Sequence, residues 1–465
     1  MQLLEYLKEK LASNQILVED ALKSRYTHIW KMDEGLKAKV VVLPESTEDV
    51  SEILKICNKL KQKVAIHGGL TNLVGGTETE GDELVISLEK MNKIEEVDPM
   101  SRTITAEAGV ILQSIHEKAD EHQLFFPLNF GAKGTAQVGG IISSNAGGLR
   151  VLKYGMTRQL VLGIEAVLAD GTIISGLKKI VKDNSGYNLN QLFIGSEGTL
   201  GIVTKAVFRL YEKPTSRQSC MVAVRNYDSV VAFMKHMDAG LAGLMSGFEL
   251  MWNNYYQMAT SSPSLVKPPI PHGHPYYVLV ESLGSDNDAD RDKMTELLES
   301  ALHLNLIEDA VLAHNESDMN WFWTIREDVR TVVSQMKVDQ HFDISLPISE
   351  IGEVIDTMLD KLKNLKGVEQ IITFGHVADG NIHLIIGKDT DTPELTLAVN
   401  EIIYAPLKDI GGSVSAEHGI GLHKKAYLEL CRTESEIQTM QLLKRTLDPL
   451  NILNPRHIFQ NSPPA

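Results

Sequence analysis

Apolar residues recur along this chain with two different periods, and the changes between them mark out its elements. Near the start, Leu3, Leu4, Leu7, Leu11 and Ile16 fall close to helical spacing, so Met1 to Asp20 reads as an amphipathic helix. Val40 to Leu43 is a short β-branched run. The Ser46-Thr47-Glu48-Asp49 stretch after it reads as a capping box for a helix carrying Val50, Ile53, Leu54 and Ile56. Lys63 to Ile66 is a second short strand that runs straight into a glycine-rich loop, the kind of junction where α/β units bind ligands. From Thr103 to Thr204 strand patterns dominate, at Thr103–Ala106, Val161–Leu168, Thr172–Ile174 and Ile202–Leu210. Asp170-Gly171 is a hairpin turn between two of them. After Lys213-Pro214 the composition changes. The stretch that follows holds every tryptophan except Trp30, most of the methionines and a proline-rich loop at Ser261–Pro275, which predicts a second domain of mixed strands and helices. Ser435 to Leu447 reads as a helix that stops at Asp448-Pro449, before a turn-rich finish from Asn451 to Pro464.

Composition sets limits around this picture. A chain of 465 residues is long enough for two or three domains. Its formal charge of -16 argues against sequence-wide binding to nucleic acid or anionic lipid, while a few local cations could still hold an anionic small molecule. Cys57, Cys220 and Cys431 are odd in number and form no CxxC pair. They predict neither a disulfide framework nor a cysteine zinc site, and they fit a reducing compartment. Lys8-Glu9-Lys10 interrupts the first helix, so it lacks the apolar core of a signal peptide, and no apolar run is long enough to span a bilayer. The expectation is a cytoplasmic protein without a transmembrane segment, peripheral association being left open.

Chemistry enters with the glycines. His67-Gly68-Gly69-Leu70-Thr71-Asn72-Leu73-Val74-Gly75-Gly76 has two glycine pairs that let backbone N–H groups approach an anion, although its spacing is not that of a Rossmann loop. Taken alone, a plain tight turn explains it equally well. Further glycine-rich stretches follow at Gly131–Thr135, Gly139–Gly148, Lys182–Tyr187 and Gly195–Gly201. Their concentration suggests backbone packed against a ligand, because each such glycine costs about 0.5–1 kcal/mol relative to alanine.

These segments, in this order, resemble the FAD-binding domain of the vanillyl-alcohol-oxidase type, shared by D-lactate and D-2-hydroxyglutarate dehydrogenases. The likeness runs from about Leu43 to Pro455. It implies an α+β fold: a two-part FAD-binding domain over 1–214, completed by 417–465, and an antiparallel-sheet cap over 215–416. The implied cofactor shell is His67, Gly68, Gly69, Leu70, Thr71, Asn72, Gly75, Gly76, Pro127, Gly131, Ala132, Gly134, Thr135, Gly139, Gly140, Ser144, Asn145, Gly147, Gly148, Tyr154, Gly155, Gly198, Gly201, Ile202, Val203 and Asn454. Of these, His67 also reads as purely structural. Relatives that attach FAD covalently often carry histidine where this chain has Leu70, so noncovalent FAD is implied.

A second constellation lies at Gly375–His383. If Asp379-Gly380 is a two-residue hairpin loop, His376 stands opposite His383 on one face, with Cβ atoms about 4.5–5.5 Å apart. Two imidazoles so placed can bind a divalent ion, and a merely packed histidine pair is the alternative. Glu417-His418 follows in a glycine-flanked segment. Strand neighbours face opposite ways, which favours Glu417 as a third ligand and His418 as acid/base. Two histidines and a glutamate suit Zn²⁺, with Mn²⁺ or Fe²⁺ as alternatives. The resemblance implies the same split, with the ion on His376, His383 and Glu417 and His418 as general base. Its implied chemistry is oxidation of a small D-2-hydroxy acid to the 2-oxo acid, with hydride passing to flavin N5.

Arg326 and Arg330 would share a face if Trp323 to Arg330 is helical, where a solvated, ion-paired face is the plainer reading. Arg326 matches an arginine that binds substrate carboxylate in D-2-hydroxyglutarate dehydrogenases. Arg330, His341 and Ile385 stand where those enzymes have Thr, Lys and Asn. Either Arg330 replaces the lysine charge and a dicarboxylate is kept, or Ile385 marks an apolar pocket for D-lactate, with D-malate or a longer aliphatic acid as further alternatives. An unidentified electron acceptor (electron-transfer flavoprotein or quinone) and a homodimer are implied. The rival classes are a flavin-free metallohydrolase, a flavoprotein without metal chemistry, and the same fold in ether-lipid synthesis.

Overall fold

A computed structural model describes residues 2–261 and 266–460, so part of the proline-rich loop, the last of the turn-rich finish and Met1 lie outside the described residues. The chain divides into two compact units: Met1–Gly148, Gly155–Lys213 and Glu417–Ala465 in one, Leu149–Tyr154 and Pro214–Ala416 in the other.

In the first unit, the opening helix is shorter than its periodicity predicts. It covers Gln2–Lys10, and Gln15 Oε1 then accepts from the Ala12 N–H, giving a 3-10 turn at Ser13–Gln15. Ser46 caps the helix Thr47–Leu60 by accepting from the Asp49 N–H. The Asp49 carboxylate turns instead to the Glu45 N–H and to Gln15, so only half of the expected capping box forms. Strands Ile16–Leu17, Val40–Val42, Leu84–Ser87 and Val64–His67 form a four-stranded sheet in that order, parallel among the last three. An antiparallel five-stranded sheet runs Ile94–Asp98, Thr103–Glu107, Ile202–Arg209, Val161–Val167, Ile173–Ser175. One apolar cluster draws on both sheets, with Val40, Ile53, Ile86, Val167, Ile202 and Leu453 at its centre.

The C-terminal segment closes this unit. The Val64 N–H donates to the Ile452 carbonyl (2.8 Å) and the Asn454 N–H to the Val64 carbonyl (2.9 Å), so the tail extends the parallel sheet beside Val64–His67. Buried Lys444, on the helix Glu434–Leu447, donates to the carbonyls of Thr199 (2.9 Å) and Leu453 (2.7 Å) and pairs with buried Asp448.

The second unit is a seven-stranded antiparallel sheet in the order Asp309–Leu312, Ser216–Val224, Tyr276–Gly284, Met245–Trp252, Val368–His376, Asn381–Lys388, Val338–Ser345. One face carries Met221, Met251, Tyr277, Leu279, Ile372, Phe374 and Ile385. These pack against Tyr255 and Tyr256 of helix Asn253–Thr260 and Phe322, Trp323 and Ile325 of helix Glu316–Glu327. Among the described residues no helix is long and apolar enough to cross a membrane.

Candidate functional site

In the first unit, Asn72 builds the loop after Val64–His67 from within. Its Oδ1 accepts from the N–H groups of Val74 (2.9 Å) and Gly76 (2.7 Å). Its Nδ2 lies 3.5 Å from the His418 carbonyl, at the limit of a hydrogen bond. The Val74 carbonyl then accepts from the N–H groups of Leu422 (2.9 Å) and His423 (3.2 Å). On its other side the same segment is fixed by Glu197, whose carboxylate accepts from the Ile420 N–H and the Gly421 N–H, both at 2.7 Å. Burial raises the Glu197 pKa, and the two amides offset part of that rise. Asn454 ties the turn back to the strand, donating to the Glu197 carbonyl (2.8 Å) and accepting from the Ile66 N–H (3.3 Å). The first glycine loop, the Gly195–Gly201 turn, Asn454 and the His418 backbone therefore meet inside one unit.

The glycines divide into two kinds. A Cβ on Gly69 would sit 2.1 Å from the Thr135 carbonyl oxygen, one on Gly148 2.2 Å from that of Asn129, and one on Gly139 3.0 Å from the Ala108 Cβ. Gly198, at φ +70°, touches Ile66 and Asn454, while Gly201 faces Phe193. These glycines are explained by protein packing alone. Gly131, Gly134 and Gly140 are different, since a Cβ on any of them meets nothing within 4 Å. Gly140 Cα also lies 3.8 Å from the Cβ position of Gly68, and the buried Gln137 Oε1 beside it has no partner. Gly131 and Gly134 lie in the turn 131–135 and Gly140 in the helix Val138–Ser144, so the open space beside Gly140 and the orphaned Gln137 Oε1 leave room for a bound cofactor without excluding a plain turn.

Other members of the expected shell have local roles. His67 is buried with Nε2 bonded to the Thr77 carbonyl (3.0 Å). Leu70 sits at φ +56°. Ser144 donates to the Gly140 carbonyl, and Asn145 Oδ1 accepts from the Arg158 N–H. Gly75, Pro127, Gly147, Ile202 and Val203 are buried, Thr135 is exposed, and Thr71, Gly76, Ala132 and Gly155 are half-buried. Tyr154 ends the short helix Val151–Tyr154, which belongs to the second unit.

In the second unit the Asp379-Gly380 turn differs from its prediction. Val377 is fully buried, which draws Val377–Asp379 into a 3-10 turn with Gly380 at φ +85°. His376 therefore pairs with Asn381, and His383 with Phe374. A slip of two residues keeps the face, so both imidazoles still share it, with ring centroids 5.4 Å apart at 82°.

Each imidazole has a carboxylate behind Nδ1. His376 Nδ1 bonds Glu249 Oε1 at 2.7 Å, and His383 Nδ1 lies 3.8 Å from Asp343 Oδ1. Burial alone would raise the Glu249 pKa, but His376 and Arg326 together hold it below the ordinary value. A carboxylate bonded to Nδ1, as at His376, leaves Nε2 as the acceptor nitrogen, the arrangement a metal ligand would need; the 3.8 Å separation at His383 is an ion-pair distance and not a hydrogen bond. The Ala416 N–H donates to the Asp343 carbonyl (3.3 Å), and Asp343 stands opposite His383. Glu417 is the next residue in the chain.

Arg326 and Arg330 do not share a helix face. Asp328 caps a new helix, Val329–Val333, by accepting from the Thr331 N–H, which ends the first helix at Glu327. Arg326 is 4% exposed, donates Nε–H to Glu249 Oε2 (2.8 Å) and lies 4.7 Å from the Phe374 ring centre. The hydroxyl of Tyr255 donates to the Arg326 carbonyl (2.7 Å), which fixes the helix end. Arg330 is exposed. Exposed His341 bonds Asp339, while its cross-strand neighbour Ile385 is buried in the apolar cluster. Sequence reasoning missed Glu249, Asp343 and Glu197. A lone acid inside the apolar run Phe248-Glu249-Leu250-Met251 was a legible signal for the first of them.

Residues 213–458 match the family of "FAD linked oxidases, C-terminal domain", and residues 38–176 match a "FAD binding domain". The chain is 34% identical to the D-2-hydroxyglutarate–pyruvate transhydrogenase of Saccharomyces cerevisiae, over 97% of this chain and 93% of that one. It is 33% identical to the mitochondrial D-2-hydroxyglutarate dehydrogenase of Arabidopsis thaliana, over 98% and 81%. Among solved structures it is similar in fold to p-cresol methylhydroxylase (TM-score 0.76, 17% identity, 98% of this chain and 96% of that one). Alkyldihydroxyacetonephosphate synthase is also similar in fold (TM-score 0.74, 15% identity, 98% and 84%).

Proposed function

The chain belongs to the FAD-linked oxidases, in the family of the D-2-hydroxyglutarate dehydrogenases, and is thus an FAD-dependent oxidoreductase; from this premise we propose that it oxidises a D-2-hydroxy acid to the 2-oxo acid with the help of one divalent metal ion. The observation that carries the metal is the pair of carboxylate-backed imidazoles, His376 on Glu249 and His383 on Asp343. His376, His383 and Glu417 would hold the ion, and the donor set suits Zn²⁺ first, then Mn²⁺ or Fe²⁺. FAD, when bound, supplies the two-electron acceptor, and the metal supplies a Lewis acid that acidifies the 2-hydroxyl.

The remaining work falls to this chain's own side chains. Arg326 receives the substrate carboxylate. With Nε engaged by Glu249, a ligand would meet its two terminal nitrogens side by side. His418 takes the hydroxyl proton. Asn72 and Glu197 brace its segment, since Gly419 at φ +83° would otherwise let the backbone swing. Phe374 and Tyr255 exclude water behind Arg326. The names of the relatives favour D-2-hydroxyglutarate as substrate. Exposed Arg330 and buried Ile385 leave no evident partner for a second carboxylate, which favours D-lactate or a longer aliphatic D-2-hydroxy acid as the second reading.

The test is an anaerobic absorbance titration of the purified flavoprotein with D-2-hydroxyglutarate, D-lactate, L-lactate and D-malate, before and after chelation. One D-acid is expected to bleach the flavin band, and chelator is expected to abolish bleaching while the flavin stays bound. Bleaching that survives complete metal removal would refute the metal reading, and no bleaching by any of the acids would refute the substrate class.

A further inference from the structure

Glu249 lies in the strand Met245–Trp252, where every residue is buried, and is itself 1% exposed. A carboxylate at that depth costs several kcal/mol to desolvate unless each oxygen is paired. Here both are paired, and with different partners. Oε1 takes His376 Nδ1 at 2.7 Å and Oε2 takes Arg326 Nε at 2.8 Å. The register Leu250↔Gly375 and Met251↔Phe374 brings Glu249, one step along, to His376. Arg326 reaches the same carboxylate from a helix whose end is pinned by Tyr255, with its guanidinium against Phe374.

We propose that Glu249 is a positioning residue shared by the metal site and the substrate-carboxylate site, so that one side chain sets the affinity of both. This rests on the reading of His376 as a metal ligand and of Arg326 as the carboxylate partner. On the metal side, the Nδ1 contact fixes the tautomer that presents the Nε2 lone pair and keeps the ring from turning about χ2. On the substrate side, the Nε contact fixes the guanidinium plane, so the terminal nitrogens are aligned before the acid arrives. Glu249 is not itself one of the proposed ligands or the proposed proton acceptor.

The experiment compares wild type, Glu249→Gln, Arg326→Lys and the double variant, each loaded with FAD and stripped of metal, then titrated calorimetrically with Zn²⁺ alone. KM and kcat for the D-acid that bleaches the wild type are measured alongside. Glu249→Gln is expected to weaken Zn²⁺ binding about 10- to 100-fold. It should also raise KM by roughly tenfold, the loss of one charge-assisted contact, with a smaller fall in kcat. Arg326→Lys should raise KM and leave the Zn²⁺ affinity as it was. Because the two residues act as one unit on the carboxylate, the double variant should have a KM no worse than its poorer parent. Should Glu249→Gln fail to fold, Glu249→Asp keeps the charge, shortens the reach and should shift both quantities in the same direction.

Failure of the wild type to bind Zn²⁺ would overturn the metal reading itself. A wild type that binds Zn²⁺, with a glutamine variant that keeps either its Zn²⁺ affinity or its KM within twofold, would overturn the shared role alone.

Discussion

His67 and His457 are both buried in the first unit, each bonded to a main-chain carbonyl, and burial pulls both pKa values from 6.5 down to about 4. Each is neutral in the folded protein and protonates more readily once unfolded. The stability they confer is therefore complete above pH 6.5 and is lost as the pH falls towards 4, the unfolded chain binding the extra protons. Thermal unfolding followed by flavin fluorescence should show a steep decline in Tm across that window. His67→Asn should flatten part of it, and an unchanged slope in that variant would show that His67 is not one of the groups responsible. Residues of this kind were only half legible in the sequence. The position of His67 beside the glycines was visible, but its bond to Thr77 was not. Glu249 was hidden because a single acid in an apolar strand announces burial without naming its partners.

Helices, strands and turns were the most legible level, because period and turn residues are local. The six strands expected between Val40 and Leu210 fall within a residue of their apolar runs, while the individual strands of the second unit's sheet were not delimited beforehand. Two departures have clear causes. Val377 prefers the core to a place in a hairpin ladder, which lengthens the Asp379-Gly380 turn, and the stretch Trp323 to Arg330, helical throughout on one reading, is broken where Asp328 caps a new helix. The glycine segments yield a test at this level. Gly69→Ala would drive a methyl group into the Thr135 carbonyl, so it should cost several kcal/mol of stability and prevent FAD uptake. Gly140→Ala, in the helix Val138–Ser144 with open space around it, should leave the apo-protein Tm unchanged or higher by up to about 1 kcal/mol of stability. It should nonetheless weaken FAD binding by about tenfold, read as a fluorescence Kd. Equal FAD affinity in this variant and the wild type would show that Gly140 does not face the cofactor.

Over the whole molecule, the first unit is assembled from three stretches of chain and the second is nearly continuous. Periodicity cannot reveal which distant segments join, because those pairings depend on tertiary contacts such as Val64 with Ile452 and Asn454. The resemblance to FAD enzymes supplied that connection where the hydrophobic pattern could not. Lys444 lies where the stretches converge. Lys444→Met should leave Asp448 as a buried, unpaired charge and lower the stability of the first unit by about 3–5 kcal/mol. Calorimetry should then resolve two transitions, the earlier one releasing flavin and the later one unshifted. A single transition at the wild-type temperature would refute this account of the C-terminal closure.

The bond from the Ile66 N–H to Asn454 joins residues 388 positions apart. At about 5–20 residues per second, a ribosome needs on the order of 20–80 s to bridge that interval. Throughout that time the nascent chain carries the edge of Val64–His67 without its final partner, an edge open to pairing with other chains. The first unit can close over that edge only after the segment carrying Asn454 has been made, so its earliest strands wait longest for their last partner.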